Sequence, residues 1–268
     1  MDTEIISRYP EGTTRSNHIL FIHGAFTGAW CWEEYFLPYF AKHGYASHAL
    51  SLRGHGKSSG RPFIWLYSLS DYVKDVSQAV GQMEKPPILI GHSMGGRIVQ
   101  QYLTSFQSPA AVLMAPVPHT GLLSSSVKML CLYPNLFQKI RMLNMTPRRM
   151  WDCMISLQEL RDIFFGRDTD PETVKKYFPG FQHESYRVIW DMSLPDFFIQ
   201  PRKTKTPMLI VGGEHDVIIP PEIIKDTAAS YQAESHIFPN TGHAMMLDKN
   251  WQTAADHILG WLEKNVGS

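Results

Sequence analysis

Gly91-His92-Ser93-Met94-Gly95 sets a hydroxyl between two glycines, each two residues away. PILI (87–90) precedes it and RIVQQYL (97–103) follows it, so the serine falls where a buried strand becomes an amphipathic helix. A strand–turn–helix junction this tight has no room for side chains at the flanking positions, and it holds the serine above the sheet on a strained backbone. Free N–H groups at the start of the following helix favour developing negative charge. Ser93 is therefore the candidate nucleophile.

A hydroxyl is a weak nucleophile until a base takes its proton and a carboxylate orients that base. His243 fits the base, in the loop NTGH (240–243) beyond the apolar run SHIF (235–238). Asp216 fits the acid, just past MLIVGG (208–213), with Asp248, Asp196 and Glu214 as rivals that follow core strands less well. His92, His55 and His215 also lie near the motifs, but His92 flanks the turn and should point away from the hydroxyl. Two nucleotide readings fail. GHSMGG lacks the G-x-G opening of a dinucleotide fingerprint, and a phosphate loop ending in Gly56-Lys57-Ser58 would need glycine where Ser51 stands.

These residues need elements to hold them at one edge. Short apolar runs recur: HILFI (18–22), ASHALSL (46–52), PILI, AVLMA (111–115), MLIVGG and SHIF. Segments of helical spacing separate them, as in 68–83, where Leu69, Tyr72, Val73, Val76 and Val80 share a face. This alternation predicts an α/β fold with a mainly parallel sheet flanked by helices. Right-handed crossovers bring the strands' carboxyl ends, and the loops carrying Ser93, Asp216 and His243, to one edge. From 119 to 201 no buried strand occurs. VKMLCLYPNLFQKIRML (127–143) is interrupted by Pro134, and RRMWDCMISLQELRDIFF (148–165) reads as an amphipathic helix. The expectation is a core of residues 1–118 and 202–268, with 119–201 inserted as a helical cap.

Composition narrows the function. The 268 residues carry 25 basic and 25 acidic side chains, which argues against a nucleic-acid surface. Three scattered cysteines, Cys31, Cys131 and Cys153, fit a reducing, cytoplasmic setting. The opening MDTEIISRYPEG has no apolar core of a secretory signal, and no apolar run reaches the roughly 20 residues of a membrane span. No cluster has metal-ligand spacing, and the serine chemistry calls for no cofactor.

HGAFTGAWCW (23–32), LRGHGKS (52–58), GHSMGG (91–96), GGEHD (212–216) and NTGH together resemble the α/β-hydrolase superfamily across essentially the whole chain. The resemblance implies an α/β-hydrolase fold and a Ser93–His243–Asp216 triad, in which the serine forms an acyl-enzyme. It also implies an oxyanion hole made by the backbone N–H groups of Ala25 and Met94. Epoxide hydrolases and haloalkane dehalogenases carry aspartate where this chain has Ser93. HGAFTGAWCW is similar to the first loop of plant methylesterases and hydroxynitrile lyases, but the lyases use threonine at the place of Gly24 and lysine at that of Ala244.

What remains is the substrate. A cap rich in Met, Leu and Phe suits a small-molecule hydrophobic ester, with Phe26 and Trp30 beside the oxyanion loop, and Met145 and Trp151 in the cap, as candidate pocket residues. The same machinery could serve a lactonase, thioesterase, carbon–carbon hydrolase or perhydrolase, or be kept in a hydrolase-fold ligand receptor.

Overall fold

Every residue of β2 (Ile19–Ile22), β3 (Ser47–Leu50), β4 (Ile88–His92), β5 (Ala111–Met114) and β6 (Met208–Gly213) is buried, which is why these strands read as near-continuous apolar runs. The computed structural model describes residues 2–266. With β1 (Ile5–Arg8) and β7 (Glu234–Phe238), these strands form one sheet in the order β1-β3-β2-β4-β5-β6-β7. All neighbours run parallel except β1, which pairs antiparallel with β3 through Ile5 opposite Leu50. Central β4 pairs Gly91 with Ile22 of β2 and with Leu113 of β5. The strand leading into Ser93 is thus clamped on both sides.

Two helix groups cover the sheet. α1 (Trp30–Glu33) and α2 (Phe36–Lys42) pack near β3, and α12 (Trp251–Asn265) joins α2. Phe21 of β2 lies 4.9 Å from Trp32 and 5.7 Å from Phe40 between ring centroids, an aromatic cluster that anchors this layer. α3 (Leu69–Gly81) packs on α4 (Met94–Tyr102), and α11 (Pro221–Tyr231) reaches α4 through the Tyr231 hydroxyl on Gln100. α3 starts where Ser68 and Asp71 form a reciprocal capping box.

Between β5 and β6 the chain is helical: α5 (Leu123–Leu132), α6 (Pro134–Met145), α7 (Trp151–Met154), α8 (Leu157–Phe164), α9 (Pro171–Tyr177) and α10 (Tyr186–Ser193). Pro134 is the first residue of α6, where a missing N–H is harmless. The single helix expected over 148–165 is corrected to a 3₁₀ turn and two helices. Ile155 is extended, and Ser156 restarts the chain as an N-cap in a capping box with Glu159. No helix among the described residues is long and apolar enough to cross a membrane.

Candidate active site

The glycines around Ser93 answer to backbone, not to side chains. A Cβ on Gly95 would lie 2.3 Å from the carbonyl oxygen of Ile22, and one on Gly91 would lie 2.5 Å from that of Gly95. Glycine at both positions lets α4 start directly over β2 and β4. Ser93 takes φ 52°, ψ −114°, a conformation L-residues rarely adopt, which costs on the order of 1–3 kcal/mol. It is held there because its N–H donates to Met114 O at 2.9 Å and its carbonyl accepts from Val117 N at 3.1 Å.

The turn aims the hydroxyl at a histidine. Ser93 Oγ lies 3.0 Å from His243 Nε2, and His243 Nδ1 lies 2.6 Å from Asp216 Oδ2. The other Asp216 oxygen accepts the N–H groups of Ile218 and Ile219, each at 2.8 Å. All three side chains are buried. With Nδ1 donating to the carboxylate, Nε2 is left to accept the serine proton. The structure brings these three predicted residues together.

The rival acids do other work. Buried Asp248 accepts Gly242 N at 3.0 Å, Gly166 N at 2.7 Å and the Thr169 hydroxyl at 3.2 Å, tying the His243 loop to the segment after α8. Asp196 faces Arg97 at 3.6 Å, and Glu214 accepts Asn240 N at 3.0 Å. His92 points away from the hydroxyl, its Nε2–H donating to His243 O at 2.9 Å. Burial, then the nearby His243 ring, drives its pKa well below the ordinary histidine value.

The loop after β2 passes beside the turn that carries Ser93. A Cβ on Gly24 would sit 2.7 Å from His92 Nδ1 and 3.1 Å from Ser93 Cβ, so only glycine allows this approach. Phe26 follows with φ 67°, and the Thr27 hydroxyl donates to Gly24 O at 3.0 Å. Ala25 lines the cavity above Ser93, while the Met94 side chain is buried at the start of α4, the end where helix N–H groups lack partners.

The cavity holds about 380 Å³ and takes in Ser93 and His243. Its walls include Phe26 and Met145, together with Met129, Phe137, Ile189 and Met192 from α5, α6 and α10. Trp30 and Trp151 lie outside its lining. Trp30 packs on Tyr177 and Phe181 in an adjoining cleft. Trp151 is wholly buried, its indole N–H donating to Thr146 O at 3.1 Å and its face covered by Arg148.

Sequence reasoning missed the contact between this helical segment and the loop after β2. Gln182 N donates to Phe26 O at 2.8 Å. Glu184, fully buried, accepts His55 Nε2 at 3.0 Å, the Tyr72 hydroxyl at 2.8 Å and Ser185 N at 2.7 Å. Burial would raise the Glu184 pKa, but His55 and these donors outweigh it and lower the value. His55 stood in the LRGHGKS motif, but nothing in sequence joined it to residue 184. Among the described residues, no group of three or more His, Cys, Asp or Glu could hold a metal ion.

A mainly parallel sheet with a strained serine after its central strand, and an acid and a histidine after later strands, defines a class of α/β enzyme fold. The chain matches the alpha/beta hydrolase family over residues 19–256 and belongs to it. Over 242 residues, 85% of this chain and 81% of the relative, it is 25% identical to a monoacylglycerol lipase of Mycolicibacterium smegmatis. Over 100 residues it is 30% identical to methyl jasmonate esterase 1 of Vitis vinifera, covering 37% of this chain but only 38% of that protein. Among solved structures, an esterase from Exiguobacterium antarcticum shares the fold at a TM-score of 0.77 and 16% identity, over 97% of this chain and 95% of that one.

Proposed function

We propose that the protein is a serine hydrolase that cleaves a hydrophobic carboxylic ester through an acyl-enzyme intermediate. One observation carries the reading: the hydrogen-bonded run from Ser93 through His243 to Asp216, at 3.0 and 2.6 Å, at the floor of an apolar cavity. Relatives named as lipase and esterase support the ester bond as the target.

In this mechanism His243 Nε2 takes the Ser93 proton as Oγ attacks the ester carbonyl. Asp216 holds Nδ1–H and stabilises the imidazolium. The N–H groups of Ala25 and Met94 receive the oxyanion, an arrangement worth about 100- to 1000-fold in rate per donor. The alcohol leaves with the proton from His243, and a water activated by the same nitrogen then releases the acid. Residues 119–201 serve as a cap over the core of 1–118 and 202–268, and Phe26 and Met145 contact the apolar part of the substrate. A cytoplasmic setting belongs to this reading, resting on three free cysteines among the described residues.

The test is initial rates on p-nitrophenyl esters of increasing acyl length, for wild type beside Ser93→Ala. The reading expects turnover above about 1 s⁻¹ on one of them and a loss of at least about a thousandfold in the variant. Slow turnover of every ester, with tight binding of an apolar ligand, would favour a receptor on this fold instead.

A further inference from the structure

The cavity that holds Ser93 opens beside residues that are themselves exposed. Met145 and Tyr186 line it, yet keep 64% and 52% of their surface in solvent. From Tyr186 an apolar stripe continues along α10 at helical spacing, through Trp190 (65% exposed) to Leu194. Trp190 and Leu194 then share one surface groove with Phe197 and Phe198, which are 85% and 88% exposed. On the other side of the mouth, Trp65 borders a cleft with Met145 and Tyr186 and is half exposed. Single exposed apolar side chains are ordinary, but a run of four aromatics leading from a cavity mouth, with a fifth across it, is not.

The stretch that supplies Arg141 and Met145 to the cavity and Arg148 to the adjoining cleft is basic. Between residues 120 and 151 the chain carries Lys128, Lys139, Arg141, Arg148 and Arg149 and no acidic residue. The nearby carboxylates are engaged: Asp191 by Arg187 at 2.9 Å, Asp152 by Arg148 at 3.7 Å, Asp196 by Arg97 at 3.6 Å, and Glu184 by His55 in the interior. Exposed Arg141 and Arg149 face no carboxylate within 4.0 Å among the described residues. Arg141 also lines the cavity.

We propose that this rim docks the protein on an anionic lipid–water interface, with the aromatics of α10 and the 197–198 turn in the headgroup boundary and the unpaired arginines against lipid phosphates. Tryptophan and tyrosine suit that boundary, since each joins an apolar ring to a polar tip. Position at the mouth decides between occupants. A second copy or a protein partner seated there would cover the route to Ser93, whereas a lipid layer would feed it. The purpose of docking rests on the ester-hydrolase reading; the docking itself needs no turnover.

The experiment sediments Ser93→Ala protein with vesicles of phosphatidylcholine alone and of phosphatidylcholine mixed with phosphatidylglycerol. The expected result is binding that favours the anionic vesicles, weakens with salt, and falls by about tenfold or more when Trp190, Phe197 and Phe198 are all changed to serine. The same triple change in the Ser93 protein should leave hydrolysis of a short, soluble ester unchanged, since none of the three lines the cavity. No binding to either vesicle, or binding untouched by the triple change, would overturn the proposal. Concentration-dependent dimers abolished by the triple change, without vesicle binding, would assign the rim to a second copy and overturn it too. Vesicle binding without hydrolysis of any ester would defeat the hydrolase reading and leave the docking standing.

Discussion

His92 Nε2–H donates to the backbone carbonyl of His243 at 2.9 Å, so the residue before the candidate nucleophile holds the main chain of the candidate base. Only the neutral tautomer protonated at Nε2 makes this bond and leaves Nδ1 bare, and Nδ1 is buried without a partner against Gly24. The Ser93 turn, the loop after β2 and the histidine loop thus meet at one imidazole. His92→Ala should lower kcat by about ten- to a hundredfold with little change in KM, because a displaced base affects proton transfer more than binding. Equal kcat in the two proteins would show that the His243 loop holds itself.

Glycines of the same type have opposite roles by position. Gly95→Ala drives a methyl into the carbonyls of Ile22 and His23, at 2.3 and 2.7 Å, and backbone cannot swing aside. It should lose about 3 kcal/mol or more. Gly260, mid-way in α12 and with nothing within 4 Å of an added Cβ, should gain about 0.5–1 kcal/mol as alanine. Urea midpoints of both variants check the pair, and a stable Gly95→Ala protein would refute the close approach.

Asp248 offers a third check. Removing its carboxylate strands two buried N–H donors, those of Gly166 and Gly242, at about 1–3 kcal/mol each. Asp248→Ala should therefore destabilise the fold and also reduce kcat, since Gly242 adjoins His243. Asp248→Asn keeps an accepting oxygen and should recover much of the loss. If both variants match wild type in urea and in rate, the carboxylate does not anchor the loop.

Much of the fold was legible because buried parallel strands announce themselves. The six apolar runs read from the sequence all became strands, and the loops carrying Ser93, Asp216 and His243 meet at one edge. β1 was not legible. IISR is a short, half-buried antiparallel edge strand, with neither a continuous apolar run nor clean alternation. The helical segment was legible in kind but not in aim. Trp151 and Trp30 have the composition of pocket residues, yet which way a ring turns depends on partners distant in sequence: Phe178 and His183 for Trp151, Tyr177 and Phe181 for Trp30. Glu184 was invisible for a related reason: its partners, His55 and Tyr72, lie more than a hundred residues away.

His23 is buried beside the site, with Nδ1 donating to Gly24 O at 2.8 Å and Nε2 accepting Leu52 N at 3.1 Å. Desolvation, then the charge of nearby His55, lowers its pKa from 6.5 to about 3. A proton on Nε2 would also break the bond from Leu52. The unfolded chain therefore binds a proton near pH 6.5 that the folded chain refuses until about pH 3. Above that window His23 contributes no pH dependence; within it, stability falls as pH falls, by up to about 1.4 kcal/mol per pH unit. His23→Gln keeps an acceptor for Leu52 but does not titrate. The margin of wild type over the variant should therefore shrink by about 2 kcal/mol between pH 7 and pH 5, read from urea midpoints at the two values. Parallel stability curves would mean that His23 takes up its proton in the folded state.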